Sequence, residues 1–510
     1  MAEPHEKLAD SLEVLKRLQD EGRRVFQSSE LGRTHRSRLI KNGFIQDVMK
    51  GWVVSADPGQ QAGDTTPWYA SFWEFCARYC RERFGDQWHL SPEQSLLLHA
   101  GHTVIPTQAI IYSPKGTNNT IQLLFGTSIY DLKQAEMPPK GDLEDRDDLR
   151  LYTIPAALLK VPEGFFQRHP IEAQVLLSAI TEPSDLLRRL LTGGHSAIAG
   201  RLVGAFRRLG KDDIAEEITS TMKAADYVVR ETDPFDPDRA FTTIAPTQAP
   251  IIGRLQALWA SHRQSIIDVF PKAPGLPADK EAFLKAVDDV YKADAYHSLS
   301  IEGYRVSPEL IEQVRSGTWN PDDVKGDRDA RDALAARGYW QAFQNVKADV
   351  EKVINGEDAG KLASSAHRAW YRELFQPCVT AGIIGAEALA GYRNNPVYIK
   401  NSTHVPPRVE AVRDAMPALF ELLSREEEAS VRAVLGHWLF GYVHPYPDGN
   451  GRVARFLMNL MLASGGYPWT VIRVDDRTRY MAALESASVK DDIQPFAEFL
   501  AEQVQRPAPE

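Results

Sequence analysis

The run 444–455, His-Pro-Tyr-Pro-Asp-Gly-Asn-Gly-Arg-Val-Ala-Arg, gathers a proton acceptor, a metal-capable carboxylate, two glycines and two arginines. His444 as a neutral imidazole can take a proton from an attacking hydroxyl near neutral pH. Gly449 and Gly451 let backbone N–H groups turn inward at the start of a helix, whose positive end suits a phosphate. Asn450 adds an amide at the same place. Arg452 and Arg455, three residues apart, share a helix face from which two guanidinium forks can grip phosphate oxygens. Asp448 is then placed to hold a phosphate-bound Mg²⁺, an ion that needs only one or two protein carboxylates. Each residue alone has an ordinary use as a cap, a turn or a solvated face. The ordered set describes nucleotidyl transfer.

The elements that must hold this run are two helices. Val431, Val434, Leu435, Trp438 and Leu439 recur at helical spacing before it, and Phe456, Leu457, Leu460 and Met461 do so after it. That placement excludes a dinucleotide-binding reading of Gly449, Gly451 and Ala454 with Asp475 or Asp476, because such a fingerprint needs a strand immediately before the glycines.

The segment resembles the Fic family signature HPFxDGNGRxxR, with Tyr446 in place of the usual Phe. A buried tyrosine there needs a partner for its hydroxyl. The resemblance implies Mg²⁺-dependent transfer of AMP from ATP to a Ser, Thr or Tyr hydroxyl of a target protein; some relatives move other phosphate-containing groups or remove AMP. It implies that Gly449, Asn450, Gly451, Arg452 and Arg455 bind nucleotide, that Asp448 holds the metal and that His444 is the base. Gly391-Tyr392-Arg393, Val397-Tyr398-Ile399 and 402–407 look like the family's β-hairpin flap, which presents the target segment; alternation and the turn residues Asn394, Asn395 and Pro396 fit a hairpin. Tyr480, Leu484, Pro495, Phe496 and Phe499 match the closing helices. His437 also matches a family position, and its place two turns before His444 suggests packing.

Ser298-Leu-Ser-Ile-Glu302-Gly303 fits the [Ser/Thr]-x-x-x-Glu-[Gly/Asn] motif of family members that carry their own inhibitory helix. By that resemblance Glu302 pairs with Arg455, so that ATP binds unproductively. Without the downstream signature, a Glu before a Gly reads as a helix-end or surface carboxylate.

At 510 residues with 43% hydrophobic content, the chain has room for roughly three globular domains. No apolar run suggests a membrane span, and the first residues lack the order of a signal peptide, so a cytoplasmic protein is expected. Three cysteines are no disulfide framework, and Cys76 with Cys80 makes no zinc site alone. The net charge of −10 argues against general nucleic-acid affinity. Residues 23–50 nonetheless concentrate arginine and lysine against only Glu30 and Asp47. Helices over 8–19, 29–31 and 34–41, followed by a two-stranded wing at 43–45 and 51–54, make a winged helix-turn-helix that would meet DNA through Arg33, Arg36 and Arg38. A protein partner is the competing reading. Residues 9–240 more faintly resemble abortive-infection antitoxin regulators, through 29–54, 90–95 and 107–108.

The fold expected is a mostly α C-terminal Fic domain with a small β-hairpin flap, preceded by an α/β region that begins with a winged helix. Its divisions are 1–56, 66–235 and 275–505, with the inhibitory helix near 281–303. Linkers are expected at 57–67 and 231–250, an exposed loop at 135–150, and helices across 183–229. Two alternatives stand beside AMP transfer: an enzyme of this fold that removes AMP, and a DNA-binding regulator of toxin–antitoxin type. The target protein and the oligomeric state stay open.

Overall fold

The computed structural model describes residues 4–20, 22–56, 58, 65–237, 241, 244, 249–319, 327–507 and 509. Parts of both expected linkers, 57–67 and 231–250, lie outside the described residues. The chain forms two compact units: Met1–Arg239 together with Tyr398–Val405, and Ala240–Val397 together with Pro406–Glu510. No helix among the described residues is long and apolar enough to cross a membrane.

The first unit contains the β-structure. It opens with the helix Pro4–Gln19, the strand Val25–Gln27, short helices Ser28–Leu31 and Arg33–Lys41, and the hairpin Ile45–Met49 with Trp52–Ser55. The expected wing is therefore the far side of a three-stranded sheet, in which Trp52–Ser55 is central and Val25–Gln27 is the added strand. Three residues are too few for alternation to announce a strand. Leu15, Phe26, Leu31, Leu39, Ile45 and Val53 close its core. Downstream, the helix Thr66–Phe84 buries Phe72, Phe75, Cys76 and Cys80 over a four-stranded sheet. At the sheet's centre Gln108–Ser113 and Ser128–Lys133 run parallel. The expected loop at 135–150 instead contains the hairpin Leu143–Arg146 with Leu149–Tyr152. Asp147 and Asp148 form its turn at φ 56° and 64°, the left-handed pair of a type I′ hairpin turn, a place that usually falls to Asn-Gly. Across 183–229 the expected helices are Ser184–Gly193, Ser196–Arg208 and Asp212–Ala224.

The second unit is mostly helical. Lys280–Ile301, Asp327–Ile354 and Ala359–Thr380 surround two central helices, Ala429–Val443 and Asn450–Ala463, which are buried on nearly every side; only the first of the two lacks an amphipathic pattern. Glu302 is the C-cap of the helix Lys280–Ile301. The β-hairpin flap expected around Val397, Tyr398 and Ile399 does not form strands: across 391–408 there is only an isolated antiparallel bridge, between Val104 and His404. Pro396, Pro406 and Pro407 supply no N–H, which removes three donors from any ladder this run could build. Residues 398–405 instead complete the first unit. Thr403 O accepts from Ile105 N at 3.1 Å, Val405 N donates to Thr103 O at 2.9 Å, and the Arg24 guanidinium lies 5.2 Å from the Tyr398 ring.

Candidate active site

The loop between the two central helices owes its shape to a few backbone constraints. His444 ends the first helix in left-handed geometry, φ 51° and ψ 60°, which is strained for a residue with a side chain. Gly449 opens the second at φ 78°, and a Cβ there would stand 2.7 Å from Phe375. Asn450, expected at the phosphates, is engaged otherwise: its Oδ1 accepts from Tyr446 N at 2.9 Å and its Nδ2 donates to Tyr446 O at 2.8 Å. The amide clasps the loop. Tyr446 stacks on Tyr371 at 3.8 Å, and its buried hydroxyl finds no hydrogen-bond partner among the described residues. The ring anchors the loop, and the extra oxygen goes unsatisfied.

Sequence reasoning gave Arg393 only as a piece of the flap, yet it holds this loop from below. Only 2% exposed, it donates from Nε to His444 O at 2.8 Å and from Nη2 to Pro407 O, and its own N–H reaches Pro445 O at 2.9 Å. Burial lowers its pKa from 12.5 to about 10. No spacing rule foretells such a clamp. His444 Nδ1 lies 3.2 Å from Gly441 O, and since a carbonyl can only accept, Nδ1 carries the hydrogen and Nε2 keeps its lone pair. Burial pushes the imidazole down to about 4, so it is neutral at ordinary pH.

Arg452 and Arg455 are both buried. Arg455 donates from Nε to Ser298 Oγ at 2.8 Å, and from Nη2 to Ser298 O at 3.1 Å and Glu302 Oε1 at 2.6 Å. Its Nη1 is buried without a partner among the described residues. Burial opposes the Glu302 charge, but Arg455 and Arg452 outweigh it and hold the carboxyl below the usual carboxylate range. Glu302 also reaches the start of the second helix, where its Oε1 would stand 2.4 Å from a Cβ on Gly451. A carboxylate thus sits at a helix N-terminus suited to an anion. Gly303 explains how it is held: at φ 88° it closes a C-cap in which Gly303 N bonds Ser300 O at 3.0 Å and Tyr304 N bonds Leu299 O at 3.1 Å.

One helical turn before Ser298, Asp294 is buried and accepts from Tyr339 OH at 2.7 Å; burial raises its carboxyl to about 6. The four-residue interval of Asp294, Ser298 and Glu302 was a legible sign that one face of this helix is committed to polar contacts. His437 does more than pack, because its Nε2 meets Tyr480 OH at 2.7 Å.

Asp448 lines a cleft of about 910 Å³ with Glu302, Gly303, Tyr304, Ala330, Arg331, Asp332 and Ile383. Its side chain is 58% exposed, with Oδ1 accepting from Gly449 N at 2.6 Å and Oδ2 only loosely paired to Arg452 at 3.5 Å. No group of three or more His, Cys, Asp or Glu among the described residues is arranged to hold a metal. One accessible carboxylate lining this cleft nevertheless fits Mg²⁺, which completes its shell with water and substrate oxygens.

In the first unit Arg33, Arg36 and Arg38 do not act alike. Arg33 is exposed and makes no ion pair among the described residues, Arg36 pairs with Asp47 at 2.5 Å, and Arg38 donates to Lys7 O at 2.8 Å and Ser11 Oγ at 3.1 Å.

Residues 362–462, most of which lie in the second unit, match the Fic/DOC family model. Curated relatives include the protein adenylyltransferase Fic of Nematostella vectensis, 40% identical over 119 residues that make up 22% of this chain and 27% of that protein. The Drosophila virilis protein of the same name is 34% identical over 245 residues, 46% of each chain. The chain therefore spans less than half the length of either of these relatives. Among solved structures, Fic-1 from C. elegans aligns at 17% identity and a TM-score of 0.36, covering 66% of this chain and 96% of that one, a likeness too slight to argue from.

Proposed function

We propose that the second unit is an autoinhibited protein adenylyltransferase that moves AMP from ATP to a hydroxyl of a target protein. The observation carrying this reading is the order of groups around one helix N-terminus: a neutral His444 with Nε2 free, an exposed Asp448, and Arg452 and Arg455 beneath. His444 Nε2 takes the proton of a Ser, Thr or Tyr hydroxyl as its oxygen bonds the α-phosphorus, and pyrophosphate leaves. The helix N-terminus and both arginines stabilise the charge that develops on the phosphates, the main demand of phosphoryl chemistry. Asp448 would hold Mg²⁺, which when bound neutralises phosphate charge. Asn450 and Arg393 keep the loop in shape.

In this reading the Glu302 carboxylate blocks the productive pose twice, by occupying Arg455 and by placing negative charge where phosphate oxygens must lie. The test compares labelled AMP incorporation by the parent, Glu302→Gly, and Glu302→Gly with Arg455→Ala. Autoinhibited transfer requires a large rise in the single variant and a collapse in the double. Unchanged activity in Glu302→Gly, with loss of AMP from a preloaded target abolished, would assign the carboxylate to AMP removal instead.

For the first unit we propose a winged helix that meets DNA or a protein partner. The order helix, strand, helix, helix, strand, strand supports it, as does the exposed Arg33.

A further inference from the structure

The cap that holds Glu302 also holds Tyr304. Because Gly303 lies at φ 88° and the two cap hydrogen bonds run back to Leu299 and Ser300, the side chains on either side of the glycine are fixed to one helix end. Asp332 secures the next residue along, its Oδ2 accepting from Arg305 N at 3.2 Å. Glu302 reaches Arg455, whereas Tyr304 reaches the other arginine. The Arg452 guanidinium carbon lies 5.2 Å from the centre of the Tyr304 ring and 5.0 Å from that of Phe375.

The two contacts differ in kind. The Glu302 carboxylate consumes N–H donors of Arg455. A ring beside a guanidinium attracts the cation through its π face without supplying a carboxylate or carbonyl acceptor. Arg452 is 1% exposed, and among the described residues its Nε has no partner and its one side-chain hydrogen bond is the 3.5 Å contact to Asp448. Two rings flank the cation, and most of its donors make no hydrogen bond among the described residues.

We propose that Tyr304 is a positioning residue for Arg452, so that one helix cap carries both the brake and part of the nucleotide site. The cap then stays seated during transfer, and inhibition is relieved by withdrawal of the Glu302 side chain, not by undocking of the helix. This rests on the reading that Arg452 binds nucleotide phosphate.

The test uses the full chain and measures ATP dissociation constants by calorimetry, together with KM and kcat for AMP incorporation. In the Glu302→Gly background, Tyr304→Leu fills the space without a π face and should raise both Kd and KM for ATP by roughly tenfold, the scale of a desolvated cation–π contact, with kcat much less affected. Tyr304→Phe should restore both. With Glu302 present, Tyr304→Leu should not raise AMP incorporation above that of the parent. The proposal is overturned if Tyr304→Leu leaves the ATP Kd of Glu302→Gly unchanged, or if it activates the parent, which would make the tyrosine a second brake. Should Glu302→Gly incorporate no AMP, the transfer reading fails, while the calorimetric series still decides whether Tyr304 positions Arg452.

Discussion

Arg393→Met isolates the clamp beneath the candidate base. The substitution removes charge-assisted hydrogen bonds to His444 O and Pro407 O, worth about 1.5–3 kcal/mol apiece; the contacts at 3.4 Å to Val443 O and Asn395 O are too long to add much. It also relieves the buried charge. The fall in pKa from 12.5 to about 10 corresponds to about 3 kcal/mol against the charged form. Loss and relief nearly offset, so the net destabilisation should be about 0–3 kcal/mol and the fall in Tm no more than about 10 °C. Catalysis should suffer far more. His444 is held at φ 51°, a left-handed conformation that costs about 1–2 kcal/mol, and without the clamp it can relax. Misplacing a base by even an ångström costs about 10²-fold in rate. The assay is AMP incorporation in the Glu302→Gly background, read beside a thermal melt. Arg393→Lys should not rescue, because an ammonium cannot reproduce the fork. A folded Arg393→Met variant that labels within about twofold of its Glu302→Gly parent would refute the reasoning that the clamp sets the base.

Two further outcomes are expected. Because burial depresses the His444 pKa to about 4, the imidazole gains its proton only as pH falls through that value; kcat/KM of Glu302→Gly should hold between about pH 8 and 5.5, whereas an acid limb near 6.5 would show an ordinary, solvated histidine. In the first unit, Arg33→Ala should weaken duplex DNA binding and reduce its salt dependence with little change in melting, while Arg38→Ala, which breaks bonds to Lys7 O and Ser11 Oγ, should lower the melt; absence of any gel shift by the full chain at low salt would favour a protein partner.

What could be read from the sequence was whatever local spacing encodes. The two central helices, the loop between them and the Ser298 to Gly303 motif are periodicities or short motifs, and the observed contact of Glu302 with Arg455 is the one the motif implied. Long-range partnerships were not legible. Nothing near Arg393 announces that it will serve the carbonyl of His444, 51 residues away. The alternation around Tyr398 suggested a self-contained hairpin, whereas the backbone of 403–405 pairs with 103–105, a choice invisible to a local window. Asn450 illustrates a subtler limit: the sequence places it among nucleotide-binding residues, whereas its amide is bonded at both ends to the Tyr446 backbone.

The assignment of Tyr398–Val405 to the first unit has a consequence for how the chain is made and cut. The polypeptide leaves the first unit, builds most of a second, returns for a short visit and departs again, so no single cleavage yields either unit whole. On the ribosome the wait is tangible: about 160 residues separate the first unit's main body from its last piece, which at about 5–20 residues per second is about 8–30 s. Through that interval the N–H of Ile105 and the carbonyl of Thr103 stand without their eventual partners, and a fragment ending near 240 would keep them so permanently.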